Sequence, residues 1–264
     1  MSEEKGLDPN KVDHLRHPAA LVVRELLTRE GREKLKQIII DDEENILQAL
    51  NAGVVLESVL TTDPEQLTLA LPEGVPVLEL SKRTGKKLFG NEKVSRVFAI
   101  AKLPEPLTLD SLSKIEGDYI VLDNLTISGN IGAITRTSAA LGVGALVLLG
   151  CDAIDIYDRR VIRASRGFIF KLPVLGISSE EFIQHCHQTK TPIVVTTSYT
   201  DDLVDQLAKE ARQLAIVFGS EKQGCSQTII EAADIKVKIP MEAGVESLNV
   251  SAAAGIVLYL RRQQ

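Results

Sequence analysis

The chain has 264 residues, a formal net charge of −6 and 25% charged residues, which is ordinary for a globular protein. Its length allows two domains or one large domain with a sizeable core, and it contains no apolar run long enough to span a membrane. The charged N-terminus lacks an apolar signal core and the three cysteines lie far apart, so we expect a cytoplasmic protein without a disulfide framework.

Strands and helices alternate over residues 37–101, which predicts a small α/β sandwich domain. The segment Lys102–Pro106 has two prolines that flank a charged residue, and it is the expected linker. The sequence therefore predicts an N-terminal domain over residues 1–106 and a second α/β domain with a mainly parallel sheet over residues 107–264.

The second domain opens with a strand–helix–strand unit over residues 119–150. The apolar run that begins at Tyr119 predicts a buried parallel strand, and Asn130 is placed to cap the helix that follows. Arg136 then lies near the start of that helix, where the helix dipole opposes a cation. Both a solvated surface arginine and an anion-binding residue at the carboxyl end of a strand fit this position.

Three loops that follow predicted strands carry glycine together with serine or asparagine. They span residues 129–136, 218–224 and 239–250. Glycine lets a backbone approach a ligand closely, and serine and asparagine provide adaptable hydrogen bonds. Ordinary turn chemistry explains any one of these loops, but all three at the carboxyl ends of strands favour a ligand site.

Other kinds of site find little support in the sequence. The GxGxxG fingerprint of dinucleotide-binding domains is absent from the first loop. His185 and His187 flank Cys186, but alternate residues of a helix do not share a face, so we expect no metal site. No pattern of a nucleophilic Ser or Cys with His emerges either.

Two clusters of positive charge stand out in this acidic chain. The first lies between Lys82 and Arg96 and holds six cations with one acid. The second lies between Arg159 and Lys171 and holds five cations with no acid. Such clusters are typical of a localised polyanion-binding surface, although a run of charges is more often only a solvated face.

Four segments of the second half resemble the signature motifs of a known family. They are GNIGAITRTSAALG, DRRVIRASRGFIFKLPV, FGSEKQG and IPMEAGVESLNVSAAAGI. In this order and at these separations they resemble the SpoU/TrmH branch of the SPOUT RNA methyltransferases. The first half is more loosely similar to the thiostrepton- and nosiheptide-resistance rRNA methyltransferases, through IIIDDEENILQALNAGVVLESV and KLFGNEKVSRVFAIAKLPEP.

The resemblance implies a homodimer whose C-terminal domain contains a deep trefoil knot, with an N-terminal domain like the kink-turn-binding ribosomal proteins. It implies S-adenosylmethionine-dependent 2′-O-ribose methylation of structured RNA, with 23S rRNA as the expected target and thiopeptide resistance as one role. A non-catalytic RNA-binding or ribosome-assembly module and a Rossmann-type enzyme acting on small molecules are the alternatives.

The motifs also assign roles to particular residues. The catalytic set is Asn130, Arg136, Glu221, Ser247 and Asn249. The cofactor is expected against Thr196, Gly219, Ile239 and Leu248. RNA is expected to contact Arg166, supplied by the partner subunit, and the first charge cluster at Lys82, Arg83, Lys86 and Lys87. Because arginine stays protonated, we assign Arg136 to holding phosphate and polarising the hydroxyl rather than to removing the proton.

Overall fold

The structure is a computed structural model that describes residues 8–90, 92, 94–150, 155–220, 222–245 and 247–262. The chain divides into two compact units. The first unit contains Met1–Pro104 and Tyr157–Arg163, and the second contains Glu105–Ile156 and Ala164–Gln264. Both units are built on β-sheets with helices between the strands, which confirms the α/β class predicted from the sequence.

The first unit has a mixed five-stranded sheet with the order β1-β4-β3-β5-β2. Its strands are β1 (Lys11–Val12), β2 (Gln37–Asp41), β3 (Leu56–Thr61), β4 (Val77–Leu80) and β5 (Val97–Lys102). Its first four helices are α1 (Pro18–Leu26), α2 (Arg29–Leu35), α3 (Glu43–Asn51) and α4 (Lys82–Phe89). The β-branched run of β2 pairs antiparallel with β5, so Ile39 and Ile100 are paired and both are buried in the core.

The second unit has a six-stranded sheet with the order β11-β9-β10-β6-β7-β8, in which every pair is parallel. Its strands are β6 (Tyr119–Asp123), β7 (Ala145–Leu149), β8 (Val174–Ile177), β9 (Ile193–Thr196), β10 (Ala215–Gly219) and β11 (Ile235–Val237). Its helices are α5 (Leu109–Leu112), α6 (Ser128–Ala140), α8 (Ser179–Thr189), α9 (Gln227–Ala232) and α10 (Val250–Arg262), whereas α7 (Arg159–Ala164) lies almost wholly in the first unit. Every residue of β6 and β7 is buried, as expected for parallel strands covered on both faces.

The start of α6 differs from the sequence prediction. The helix begins at Ser128, and its N-cap is Ile127, which makes no side-chain capping bond. Asn130 is therefore inside the first turn, and the prediction that it caps the helix is wrong. Arg136 is the ninth of the 13 residues, so it lies beyond the middle of the helix and not near the start. The unfavourable dipole expected at Arg136 is correspondingly absent, because the dipole acts mainly within the first and last turns.

The start of α7 anchors the segment Tyr157–Arg163 within the first unit. The Arg159 guanidinium is 4% exposed and donates to both carboxylate oxygens of Asp41, with N–O distances of 2.8 and 2.7 Å. It also lies 4.1 Å from the centroid of the Phe89 ring, on α4. Asp41 ends β2 and its side chain is fully buried, so this is a bidentate ion pair removed from water.

A second arginine completes the group. Arg163 donates to the same carboxylate at 3.1 Å, and Arg159 also reaches Glu92 at 3.1 Å. Burial raises the pKa of Asp41, and the two guanidinium groups oppose that rise. Two cations of the second charge cluster are thus used inside the protein, so the interpretation of the whole cluster as a polyanion-binding surface is too broad.

Within the described residues, no helix is long and apolar enough to cross a membrane.

We predict that two neighbouring arginines differ in their effect on stability. Arg159→Ala leaves the buried Asp41 carboxylate without its bidentate partner and should lower the free energy of unfolding by about 3 kcal/mol. Arg160→Ala removes a side chain that is 62% exposed and pairs with Asp158, so it should change stability by less than about 0.5 kcal/mol. Urea denaturation of both variants measures the difference, and equal effects would contradict the role given to Arg159.

Candidate functional site

The candidate site lies where three neighbouring strands of the second sheet end. Strands β11, β9 and β10 are adjacent and parallel, so their carboxyl ends meet at one edge of the sheet. The loops that follow these strands enclose a cleft of about 390 Å³. A cleft of this size falls in the range that binds small molecules.

All four residues predicted to contact a cofactor line this cleft: Thr196, Gly219, Ile239 and Leu248. Ser247, from the predicted catalytic set, lines it as well. Thr196 ends β9, and its hydroxyl donates to the Val217 carbonyl of β10 at 3.0 Å. This bond fixes the ends of the two strands at the same level. Leu248 is 37% exposed and gives the cleft an apolar wall.

Gly219 ends β10 at a place where the chain folds back on itself. The Ser220 amide donates to the Gly224 carbonyl at 3.0 Å, and the Gly224 amide donates to the Ser220 carbonyl at 2.8 Å. A Cβ on Gly219 would lie 2.0 Å from the Gly224 carbonyl carbon, so only glycine fits. Glu221, the predicted catalytic residue of this turn, lies outside the described residues.

A buried carboxylate binds the chain just after the turn that follows β10. Asp123, at the end of β6, accepts a hydrogen bond from the Ser226 amide at 2.6 Å and from the Asn124 side chain at 2.7 Å. Burial, with a further contribution from Asp123, raises the pKa of the neighbouring Cys225 thiol to about 12. Cys225 also lines the cleft, so it contributes a neutral thiol and not a thiolate at physiological pH.

A hydrogen bond joins the first and third sequence motifs. The Asn249 side-chain amide donates to the side-chain oxygen Oδ1 of Asn130 at 3.1 Å. The carbonyl oxygen of Asn249 accepts from the amide of Ser251 at 2.9 Å and so caps the start of α10. The two contacts together fix the orientation of the Asn249 side chain, and they place Asn130 beside the loop that carries Ser247.

The other predicted residues lie apart from the cleft. Arg136 is exposed on α6 and is not among the residues that line the cleft. It makes no hydrogen bond or ion pair with the part of the chain that the structure describes. Arg166 is exposed just after α7, with a left-handed backbone of φ +50° that is uncommon for a residue with a side chain.

The four cations predicted to bind RNA are on α4, in the first unit. Lys82, Arg83, Lys86 and Lys87 are all exposed. At 100° per residue they cover about 140° of the helix circumference, so they form one face. None of them has an ion pair with a described residue.

Sequence analysis did not single out three of the side chains that line the cleft. They are Tyr199, Lys222 and Lys238. Each follows the end of β9, β10 or β11 by no more than three residues. Distance from a predicted strand end is therefore the signal that could have found them.

The described residues include no group of three or more His, Cys, Asp or Glu side chains that could hold a metal ion. His185 and Cys186 are buried on one side of α8, whereas His187 is exposed. This arrangement follows from the 100° step of the helix.

The parallel sheet and the cleft at its carboxyl edge define an α/β ligand-binding domain. Comparison with known proteins identifies the family. The model of the SpoU rRNA methylase family matches residues 118–259, and that of the thiostrepton-resistance methylase N terminus matches residues 9–115. The chain belongs to the SpoU rRNA methylase family, which confirms both the family and the RNA methyltransferase class predicted from the motifs.

Individual relatives match almost the whole chain. The 23S rRNA (adenosine(1067)-2′-O)-methyltransferase of Streptomyces azureus is 35% identical over 95% of this chain and 96% of its own length. A crystal structure of an RNA 2′-O ribose methyltransferase superimposes with a TM-score of 0.80 at 29% identity, covering 96% of this chain and 98% of the other. The AdoMet-bound rRNA methyltransferase from Sinorhizobium meliloti has a TM-score of 0.84 at 22% identity, with 96% and 97% covered, and shows the shared fold.

We predict that the cleft tolerates no side chain at Gly219. In Gly219→Ala the backbone of residues 224–225 must move, which should cost about 1–3 kcal/mol of stability. Gly129→Ala is the matched control, because its Cβ would meet nothing within 4 Å and its helical backbone accepts alanine. Thermal unfolding compares the two, and a Gly219→Ala protein as stable as the control would contradict the packing described for the turn.

Proposed function

We propose that the protein transfers a methyl group from S-adenosylmethionine to a ribose 2′-hydroxyl of structured RNA, and that 23S rRNA is its substrate. One observation carries the proposal: a single cleft collects the four residues that the motifs assign to the cofactor. The Streptomyces azureus relative, named as a 23S rRNA 2′-O-methyltransferase, supports the choice of substrate. The match to the thiostrepton-resistance model over residues 9–115 extends the proposal to thiopeptide resistance.

The cleft suits S-adenosylmethionine in size and in chemistry. Its volume of about 390 Å³ can hold a nucleoside joined to an amino acid. Ile239 and Leu248 provide apolar walls, and the chain's turns at Gly219 and Gly224 provide backbone groups for hydrogen bonds. Cys225, held as a neutral thiol, places no competing nucleophile beside the ligand. When bound, S-adenosylmethionine supplies an activated methyl group.

The protein's own side chains then orient the RNA. The Asn130–Asn249 pair offers amide groups in a fixed orientation, and the exposed Ser247 offers a hydroxyl at the rim of the cleft. Arg136 has no ion pair within the described residues, so its full charge is available to a phosphate of the target nucleotide. A bound phosphate beside Arg136 would hold the ribose in place and favour loss of the hydroxyl proton to phosphate or water.

The active form is proposed to be a homodimer. On α10, Ile256 and Tyr259 are 39% and 59% exposed, and their i, i+3 spacing puts them on one face. A second copy of the chain would cover this apolar face, and Arg166 would then act in the partner's site. We include the family's trefoil knot in the proposal; the strand order β11-β9-β10 requires the connection from β10 to β11 to cross β9, which is compatible with a knot.

The first unit is proposed to recognise RNA in the cytoplasm, in the manner of the kink-turn-binding ribosomal proteins. The exposed cations of α4 support this role, because they form one face and have no ion pair with a described residue. Such a face neutralises phosphates and releases their counterions, which gives salt-dependent affinity without sequence preference.

We predict that catalysis needs one arginine from each subunit. Arg136→Ala and Arg166→Ala proteins should each lack transfer of labelled methyl from S-adenosylmethionine to 23S rRNA. After subunit exchange, about half of the dimers should be mixed, and one site in each mixed dimer should have both arginines. About a quarter of the wild-type activity per site should therefore return.

As the control, each variant is taken alone through the same subunit-exchange procedure, and its methyl transfer is measured. If the mixture stays at the level of the single variants, the composite site is wrong. If the wild-type protein binds 23S rRNA but transfers no methyl group, the chain is a non-catalytic RNA-binding module. A folded Arg136→Ala protein with wild-type activity would contradict the role given to Arg136.

We predict that the basic face of α4 sets the salt dependence of RNA binding. Replacement of Lys82, Arg83, Lys86 and Lys87 by Gln removes four cations, so RNA affinity should fall and its slope against salt should flatten. Affinity for S-adenosylmethionine should not change, because the cleft belongs to the second unit. Filter binding over a salt series and calorimetry measure the two affinities.

The matched control makes the same change of charge elsewhere in the first unit. It replaces four exposed cations of the α1–α2 region by Gln: Arg24, Arg29, Lys34 and Lys36. An equal loss of RNA affinity in both variants would mean that net charge, and not the α4 face, determines binding.

A further inference from the structure

The loop after β9 presents an aromatic side chain to solvent. Tyr199 is 92% exposed, the most exposed of the large hydrophobic side chains described in the structure. The same residue lines the cleft between β9, β10 and β11. A single exposed aromatic ring is common on a protein surface, but at the edge of a cleft its flat face is available to a ligand that enters the cleft.

The backbone on both sides of Tyr199 is nevertheless held in place. The Tyr199 amide donates to the Thr197 hydroxyl at 3.2 Å. Further along the loop, the Asp202 carbonyl accepts a hydrogen bond at 2.9 Å from the amide of Lys238, which follows β11. The Val204 amide donates to the Lys238 carbonyl at 3.0 Å. The loop is thus attached to the strand edge before and after Tyr199, whereas Tyr199 itself is 92% exposed.

The remaining walls of the cleft are suited to a flat apolar ligand. Met241 and Leu248 are 36% and 37% exposed, and both line the cleft together with Tyr199. An aromatic ring that enters the cleft could therefore contact the tyrosine together with these aliphatic side chains. Of the groups in S-adenosylmethionine, the purine is the one with this shape.

The charge of the loop disfavours an RNA base as the partner. Asp201 and Asp202 follow Tyr199 closely, and both are exposed. Lys238 pairs with Asp201 at 3.1 Å, which leaves the loop with a net negative charge. A negative loop repels the phosphates that would flank any RNA base, whereas the adenosyl group carries no phosphate.

We propose that Tyr199 is a binding residue whose ring stacks on the purine of S-adenosylmethionine and covers the cleft. This inference rests on the proposed function, because it assumes that the cleft holds that molecule. Tyr199 lines the same cleft as Thr196 and Leu248, and stacking would bury much of the exposed surface of its ring.

The chain offers a direct optical test. It has no tryptophan and four tyrosines, so its intrinsic ultraviolet emission comes from tyrosine. Addition of S-adenosylmethionine should quench part of this emission in the wild-type protein, and adenosine should do the same, whereas methionine should not. Tyr199→Phe should lose this quenching but keep its Kd, measured by calorimetry, within about twofold, because phenylalanine retains the ring. Tyr157→Phe, which removes a half-buried tyrosine of the first unit, is the control and should keep the quenching.

Removing the ring altogether should weaken binding. For Tyr199→Ala we expect a Kd for S-adenosylmethionine about tenfold higher, which corresponds to about 1.4 kcal/mol. If the wild-type protein shows no binding of S-adenosylmethionine by calorimetry, the proposed function itself fails. If the wild-type protein binds it but Tyr199→Ala has the wild-type Kd and Tyr199→Phe keeps the quenching, Tyr199 does not stack. Quenching that depends on Tyr199 only when an RNA oligonucleotide is added would assign the ring to an RNA base and overturn the inference.

Discussion

The parallel register of β9, β10 and β11 is the constraint on which the site depends. Val195 is paired with Val217, and Thr196 is paired with Val237, so the three strands end at the same level. A slip of one residue would turn every side chain to the opposite face of the sheet. The bond from the Thr196 hydroxyl to Val217 opposes such a slip directly. Three loops that are distant in sequence therefore form one cleft, and Lys238 after β11 also bonds to Asp201 and Asp202 after β9.

Asn249 links the rim of this cleft to the helices behind it. One end of its side chain caps α10, and the other end binds Asn130 on α6. A side chain that accepts a hydrogen bond from the first turn of one helix and donates one to a second helix has little freedom to rotate. Its orientation is then set before any ligand arrives, which lowers the entropy cost of binding. The same logic applies to Asp123, whose carboxylate is fixed by two donors beneath the β10 turn.

The sequence predicted those features that local pattern determines. Strands β6 and β7 lie where apolar runs placed them, and the cleft residues lie in the loops that the motifs indicated. The start of α6 was not predictable from capping rules, because Asn130 bonds to a residue 119 positions away. The role of Arg159 was hidden for the same reason, since its partner Asp41 is 118 positions away and a count of charges cannot detect pairing. Strand β1 could not be predicted either, because two residues are too few to show the alternation of apolar and polar side chains that indicates a strand.

Ion pairing decides which arginines of this chain, with its net charge of −6, present their charge to solvent. A guanidinium buried in the fold must be neutralised there, and Arg159 is neutralised by Asp41, so it contributes almost nothing to the external field. Arg136 and the cations of α4 remain in solvent without an ion pair among the described residues, and their charge acts outward. Affinity for phosphate depends on the local density of such unpaired cations and not on the net charge of the whole chain. Charge pairing, which only the structure reveals, therefore separates the arginines that are neutralised inside this protein from those whose charge faces solvent.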